Sequence, residues 1–267
     1  MTSAVACGRI TARIADGIAA VEIDDPARRN AMTRAMCIEL QELMPSLDAD
    51  PEVTVITLRG AGTTFSAGAA IDELSSVLMD TRDGGTPVDH LSRADLAIAS
   101  TAKPTIAMVD GACIGGGWQI ASACDFIVTS ERSIFAITPA KIGVIYPRAG
   151  IERLIRQVGP ATAKLLLLTG KTLSAAEAHD LGLVAEVVAV DEFASHCSAM
   201  ARTLLGNSRF SMHRLKSLVD LTVSADPELG AKWGEAWDAM AAGPDMATGI
   251  DAFLHRERPR FTWTPEP

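Results

Sequence analysis

Two glycine-bearing segments hold the residues best suited to chemistry in this chain. One is Phe65-Ser66-Ala67-Gly68-Ala69-Ala70-Ile71; the other is Gly111-Ala112-Cys113-Ile114-Gly115-Gly116-Gly117-Trp118-Gln119, and each directly follows a predicted strand. Small residues let a backbone approach a ligand closely, and a helix that begins after Gly116 directs unpaired amides and a partial positive charge at it. Two such amides can hold an oxygen that gains negative charge, as a thioester carbonyl does when the adjacent carbon becomes an enolate. Either segment alone reads as a tight turn or a close strand-to-helix crossing. The pair in this order is what points to a site.

The elements that must position these segments are legible as alternating strands and helices. Ile10, Ala12, Ile14 and Ile18, Ala20, Val21, Ile23 flank Asp16-Gly17, the signature of a β-hairpin. After a loop at Asp25-Pro26, Met36, Leu40, Leu43 and Leu47 fall at helical spacing behind Thr33 as N-cap. Val53 to Leu58 is a β-branched run ended by Gly60-Ala61-Gly62, as in a buried strand. Thr81 to Pro87 is polar and glycine-rich and is expected to be a mobile loop; a helix over 89–99 and a strand over 105–109 follow. Further strands are predicted over 124–129 and 134–137. Helical patterns then run from Ile151 to a stop at Gly159-Pro160 and through Leu165–Leu168 to Gly170. Ser174-Ala175-Ala176-Glu177 has capping-box spacing, with Gly182 as the C-terminal cap. From about residue 195 the pattern is wholly helical, which divides the chain into an α/β core over 1–195 and a helical assembly region over 196–267.

Composition excludes several functions. A formal net charge of −9 argues against nucleic acid or an anionic membrane as partner. Apolar runs such as Leu165–Leu168 are far shorter than the roughly 20 residues of a spanning helix, and residues 1–7 lack the pattern of a signal peptide, so a cytoplasmic location is expected. The five cysteines (Cys7, Cys37, Cys113, Cys124, Cys197) are scattered, with no C-x-x-C pair, which fits reduced thiols rather than disulfides or a metal site.

The chain resembles the crotonase, or enoyl-CoA hydratase/isomerase, superfamily over nearly its whole length. The resemblance is carried by Arg29-Asn30-Ala31-Met32, the two glycine segments, Cys124-Asp125, Phe135, Gly143, Leu173-Ser174-Ala175 with Ala178, Gly182-Leu183-Val184 and Gly249-Ile250-Asp251-Ala252-Phe253-Leu254. It implies an α/β fold built as a crotonase-like spiral of ββα units with a helical C-terminal region that assembles trimers or hexamers. It also implies an acyl-CoA thioester as partner, with coenzyme A arriving as part of the substrate and no separate cofactor or metal. The amides of Ala69 and Gly116 would form the oxyanion hole. The backbone around Ala67 and Ile71 would hold adenine and pantetheine, Arg28 or Arg29 would meet a coenzyme phosphate, and Phe253 and Arg256 would approach coenzyme A across a subunit boundary.

The pattern breaks where the family's hydratases carry their two glutamates, because those positions read Gln119 and Pro139. Neither side chain exchanges a proton near neutral pH, which disfavours hydration and double-bond isomerisation by the usual acids. The stretch from Thr138-Pro139 to Tyr146, with Trp118 and Gly150-Ile151, is similar to the family's methylmalonyl-CoA decarboxylases. Those enzymes have a histidine at the place of Ala69 and a glutamate at that of Gln119. Departing carbon dioxide leaves an enolate directly and needs no base, and the phenol of Tyr146 could orient the carboxylate or return a proton. Tyr146 also reads as a packed aromatic bonded to backbone; Lys141 and Arg148 read as surface charges, with Arg148 near enough in sequence to reach a substrate carboxylate. Two alternatives stand beside a decarboxylase: a hydratase- or isomerase-like reaction using Asp72, Glu73 or Glu152, and a non-catalytic acyl-CoA binding protein.

Overall fold

The chain opens on a hairpin whose turn residues, Asp16 (φ 50°) and Gly17 (φ 80°), both take the left-handed conformation that suits the twist of the flanking strands. In the computed structural model, which describes residues 8–81 and 84–264, these strands are β1 (Arg9–Ala15) and β2 (Ile18–Asp24). Helix α1 (Arg34–Ala49) begins where Thr33 Oγ1 accepts the Met36 N–H, and β3 (Val55–Gly60) follows. Next come α2 (Leu74–Leu78), α3 (His90–Ala99), β4 (Thr105–Val109), β5 (Ala112–Ile114), α4 (Gly116–Ser122), β6 (Phe126–Ser130) and β7 (Ile134–Ala136). The rest comprises α5 (Arg148–Thr169), β8 (Thr172–Ser174), α6 (Ala175–Asp180), β9 (Glu186–Val188) and helices α7 (Phe193–Leu205), α8 (Arg209–Ser224), α9 (Leu229–Ala242) and α10 (Asp245–His255). Cys7 and the remainder of the 1–7 stretch, and Arg82-Asp83 of the polar loop, lie outside the described residues.

The strands form two sheets. A six-stranded sheet has the order β1-β2-β3-β4-β6-β9, parallel except for the opening hairpin, and a three-stranded sheet has the order β5-β7-β8. From β4 to β7 the chain alternates between the large sheet and the small one, β8 stays in the small sheet, and β9 returns to the large one. Between β4 and β5 the switch is made at Gly111 (φ 72°), where a Cβ would stand 2.1 Å from the Thr63 carbonyl oxygen. The main core fills the space between α1, α3, α4, α5 and the sheets, with Trp118 packed edge-on against Phe135 at 5.9 Å. On the other face of the large sheet, Val55, Ile106, Val128 and Val188 pack against Phe193, Cys197 and Ala201 of α7, which spans residue 195.

The helical breaks fall where glycine permits them. Gly159 (φ 73°, ψ 166°) divides α5 in two before Pro160, Gly170 caps its end in the left-handed region, and Ser174 and Glu177 form the capping box of α6. The four described cysteines are free and buried. No helix among the described residues is long and apolar enough to cross a membrane. Helix α8 is fastened to the core by Lys216, which pairs with Asp125 at 2.9 Å, while Trp237, Ile250, Phe253 and Leu254 on α9 and α10 remain exposed.

One buried side chain ties the loops after β2 and β3 together. Asn30 takes a left-handed conformation (φ 56°), which asparagine tolerates better than most residues. Its Oδ1 accepts the Asp25 N–H at 2.9 Å, and its Nδ2 donates to the carbonyls of Ala61 at 2.9 Å and Thr64 at 2.6 Å. Asn30→Ala leaves those three groups without partners and keeps a strained backbone. It is expected to lower stability by roughly 2–4 kcal/mol, read as a reduced denaturant midpoint against wild type.

Candidate active site

The segment from Phe65 is clamped on both edges. Toward the Arg29–Met32 loop, Ala67 N–H donates to Arg29 C=O at 2.9 Å, Met32 N–H to Gly68 C=O at 2.7 Å and Ala70 N–H to Met32 C=O at 2.9 Å. Toward β5, Ser66 N–H donates to Ala112 C=O and Ile114 N–H to Ser66 C=O, each at 3.0 Å. Ser66 Oγ donates to Asn30 C=O at 2.7 Å and accepts the Gly68 N–H at 3.2 Å. The amides of residues 66, 67, 68 and 70 are thereby satisfied. Successive amides of an extended chain point to opposite sides, so with Ala70 turned to Met32, the Ala69 N–H faces the other way. Among the described residues it has no acceptor.

Gly115 (φ 52°, ψ −110°) turns the chain into α4 through a conformation suited to glycine. Its N–H donates to Ala136 C=O at 2.8 Å, and Gly116, as the first helical residue, has no carbonyl of its own helix to meet. Among the described residues the Gly116 N–H also has no acceptor. Because α4 is only seven residues long, the individual amide, rather than the dipole of a long helix, is the donor here. The two amides lie side by side: a Cβ on Gly116 would stand 3.0 Å from Ala69 N, and one on Gly68 would stand 3.3 Å from Gly116 N. Small residues at 68 and 116 are what allow that approach.

Both amides border a cavity of about 80 Å³ enclosed by Ala67–Ala69, Gly115, Gly116, Leu91, Pro139 and Tyr146. Among its described lining residues there is no carboxylate, imidazole or cation, and Tyr146 is the one ionisable side chain. Tyr146 is buried, and its hydroxyl donates to the Gly115 carbonyl at 2.9 Å. Burial, with Cys113 and Asp95 nearby, raises the pKa of its hydroxyl well above the usual 10.0, against a smaller opposite pull from Arg153.

The other residues singled out from sequence divide clearly. Pro139 lines the cavity, whereas Gln119 does not: it is fully buried in α4, and neither its Oε1 nor its Nε2 has a hydrogen-bond partner among the described residues. Trp118 is core packing. Arg28 is held by Asp72 and Glu73, while exposed Arg29 has no ion-pair partner among the described residues. Ile71 is exposed at the cavity mouth. Glu152 sits on the surface with Arg148 at 2.7 Å, and Lys141 donates to Gly170 C=O at 2.6 Å, so these groups are engaged outside the cavity. Within one chain, Phe253 lines a separate apolar groove near the C-terminus with Ile250 and Leu254, and Arg256 follows at the end of α10. Sequence reasoning gave no role to Leu91, whose Cδ2 would lie 3.1 Å from a Cβ on Gly116, or to Gly150, on which the Tyr146 ring rests. The four-residue spacing of Tyr146 and Gly150 is the one local signal that could have linked them.

Tyr146 is the only tyrosine in the chain, so its ionisation can be read directly in the near ultraviolet. The folded protein is expected to show no tyrosinate absorbance as pH passes 10, with the signal appearing only on unfolding. The unfolded phenol releases its proton near 10 and the folded one well above it. The contribution to stability is therefore complete below 10 and is lost as pH rises from there toward the folded value. Ordinary titration of the native protein near 10 would contradict the burial described.

The profile of the enoyl-CoA hydratase/isomerase family matches residues 13–264. The chain is 32% identical over 251 residues to the peroxisomal Delta(3,5)-Delta(2,4)-dienoyl-CoA isomerase of Arabidopsis thaliana, covering 90% of each chain. Among solved structures it is similar to an enoyl-CoA hydratase/isomerase family member at 59% identity and a TM-score of 0.96, over 99% of this chain and 100% of that one. It is also similar to the enoyl-CoA hydratase of Mycobacterium tuberculosis H37Rv at 28% identity and a TM-score of 0.82, over 95% and 98% of the two chains. With the profile spanning both glycine segments and the sheets that present them, this chain belongs to the enoyl-CoA hydratase/isomerase family and has the crotonase fold.

Proposed function

We propose that this protein is a lyase that decarboxylates a small malonyl-type acyl-CoA, using the Ala69 and Gly116 amides to hold the thioester oxygen as the enolate forms. The observation that carries the reading is the pair of acceptor-free amides in an apolar cavity whose described walls bear no carboxylate or imidazole. In the reaction the bond between the α-carbon and the carboxylate breaks, its electron pair passes into the enolate, and carbon dioxide leaves. A proton from water then adds to the α-carbon. No base is needed to start, and fixed donors in a water-poor site are the main stabilising device. In this reading Ala67 and Ile71 lie along the coenzyme, Arg29 is better placed than Arg28 to meet a phosphate because no carboxylate among the described residues holds it, and Phe253 and Arg256 come from another subunit of a homotrimer or homohexamer. The exposed apolar side chains of α9 and α10 support such assembly.

A hydratase- or isomerase-like reaction is the second reading, favoured by the activities named for the similar proteins. It needs an acid or base, and Asp72, Glu73 and Glu152 are each occupied by arginines. The test is turnover of malonyl-CoA and methylmalonyl-CoA beside hydration of crotonyl-CoA. Carbon dioxide release with hydration at background is expected. Gly116→Ala, whose methyl would crowd Ala69 N, is expected to lower kcat on the order of 100-fold. Hydration without decarboxylation would replace this reading by the second, and tight thioester binding with no turnover would leave a binding protein.

A further inference from the structure

The second donor of the proposed oxyanion site is aimed by the peptide unit to which it belongs. The N–H of Gly116 and the C=O of Gly115 belong to one peptide unit, so whatever holds the carbonyl also aims the amide. That carbonyl accepts two hydrogen bonds, from the Gln119 N–H at 3.1 Å and from the Tyr146 hydroxyl at 2.9 Å. A carbonyl oxygen has two lone pairs, so both are used. Each bond draws electron density toward oxygen through peptide resonance and leaves the amide hydrogen more positive, and hydrogen bonds linked in this way strengthen one another. The first bond is ordinary helix pairing. The second comes from a side chain that reaches back 31 residues along the chain.

Tyr146 is itself held firmly. Its ring is buried beside Gly150, where a Cβ would stand 2.5 Å from Cε1, so the position across from the ring accepts hydrogen and no larger group without displacement. We infer that Tyr146 is a positioning residue: its hydroxyl, bonded to the Gly115 carbonyl, fixes and polarises the peptide whose N–H at Gly116 receives the thioester oxygen. This inference rests on the oxyanion-site reading and differs from a role as proton donor, because the phenolic hydrogen is directed at the carbonyl.

The test uses acetyl-CoA isotope-labelled at the thioester carbonyl, whose infrared stretch falls in frequency when the oxygen accepts hydrogen bonds. In wild type the bound band is expected below its position in water. Tyr146→Phe keeps the ring and is expected to reduce that displacement by roughly 10–30%. It should also lower kcat on methylmalonyl-CoA roughly tenfold, with KM within about twofold, a fraction of the loss from deleting a donor outright. Gly150→Ala, which moves the ring without removing the hydroxyl, should change the band in the same direction. Because there is one tyrosine, growth on ring-fluorinated tyrosine alters position 146 alone; the more acidic phenol should displace the band further. An unchanged band in the Phe, Ala and fluorinated proteins overturns the inference, even if kcat falls, since that combination marks a proton donor. If the wild-type band is not displaced, or acetyl-CoA does not bind, the oxyanion reading fails and this inference with it.

Discussion

The structure depends on leaving two main-chain N–H groups, at Ala69 and Gly116, without acceptors among the described residues, beside a small apolar cavity. Proteins pair nearly all such groups, and an unpaired buried amide costs about 1–3 kcal/mol. The surrounding bonds are therefore arranged to prevent either amide from turning away. Arg29 to Met32 satisfy the amides of Ala67 and Ala70 on one edge, β5 satisfies the opposite edge, and Asn30 ties the loop after β2 to the loop after β3 that leads into this segment. Gly115 turns the chain into α4, so that the Gly116 amide starts beside Ala69. Glycines at 68 and 116 let them approach, since a Cβ at either would lie within 3.3 Å of the other segment's nitrogen.

This division of labour explains how one fold serves more than one reaction. In the proposed function, enolate stabilisation is assigned to main-chain groups, which depend on small residues and backbone pairing rather than on any catalytic side chain. The step that makes or uses the enolate depends on the few side chains around the α-carbon. Here the cavity wall offers Pro139 and Tyr146, and Gln119 is withdrawn into α4. The proposed decarboxylation rests on this, since its substrate delivers its own electron pair. The names of the similar proteins describe chemistry that needs proton transfer, so identity of fold and identity of reaction are separate questions here.

Local features were readable from sequence because local physics determines them. Asp16-Gly17 demands left-handed dihedrals, Thr33 and Ser174 accept amides at helix starts, and Gly159 interrupts α5 where the helical periodicity stops. The glycine segments and the core helices were likewise visible. What stayed hidden depends on residues far apart in sequence. Nothing local tells that β5 leaves the large sheet, that β3 starts at Val55 rather than Val53, or that the short helix α2 forms over the cavity. Gln119 and Trp118 flank each other in a motif that suggests chemistry, yet both face the interior, because the seven residues of α4 are buried throughout. The bond from Tyr146 to Gly115 is of the same kind, since only the folded chain brings the two together.

The most direct measurement is a crystal structure of the protein with a non-hydrolysable acyl-CoA analogue. The carbonyl oxygen is expected between the two backbone nitrogens, within about 2.7–3.1 Å of each. A carbonyl lodged elsewhere, with either amide bonded to the protein itself, would contradict the proposed oxyanion site.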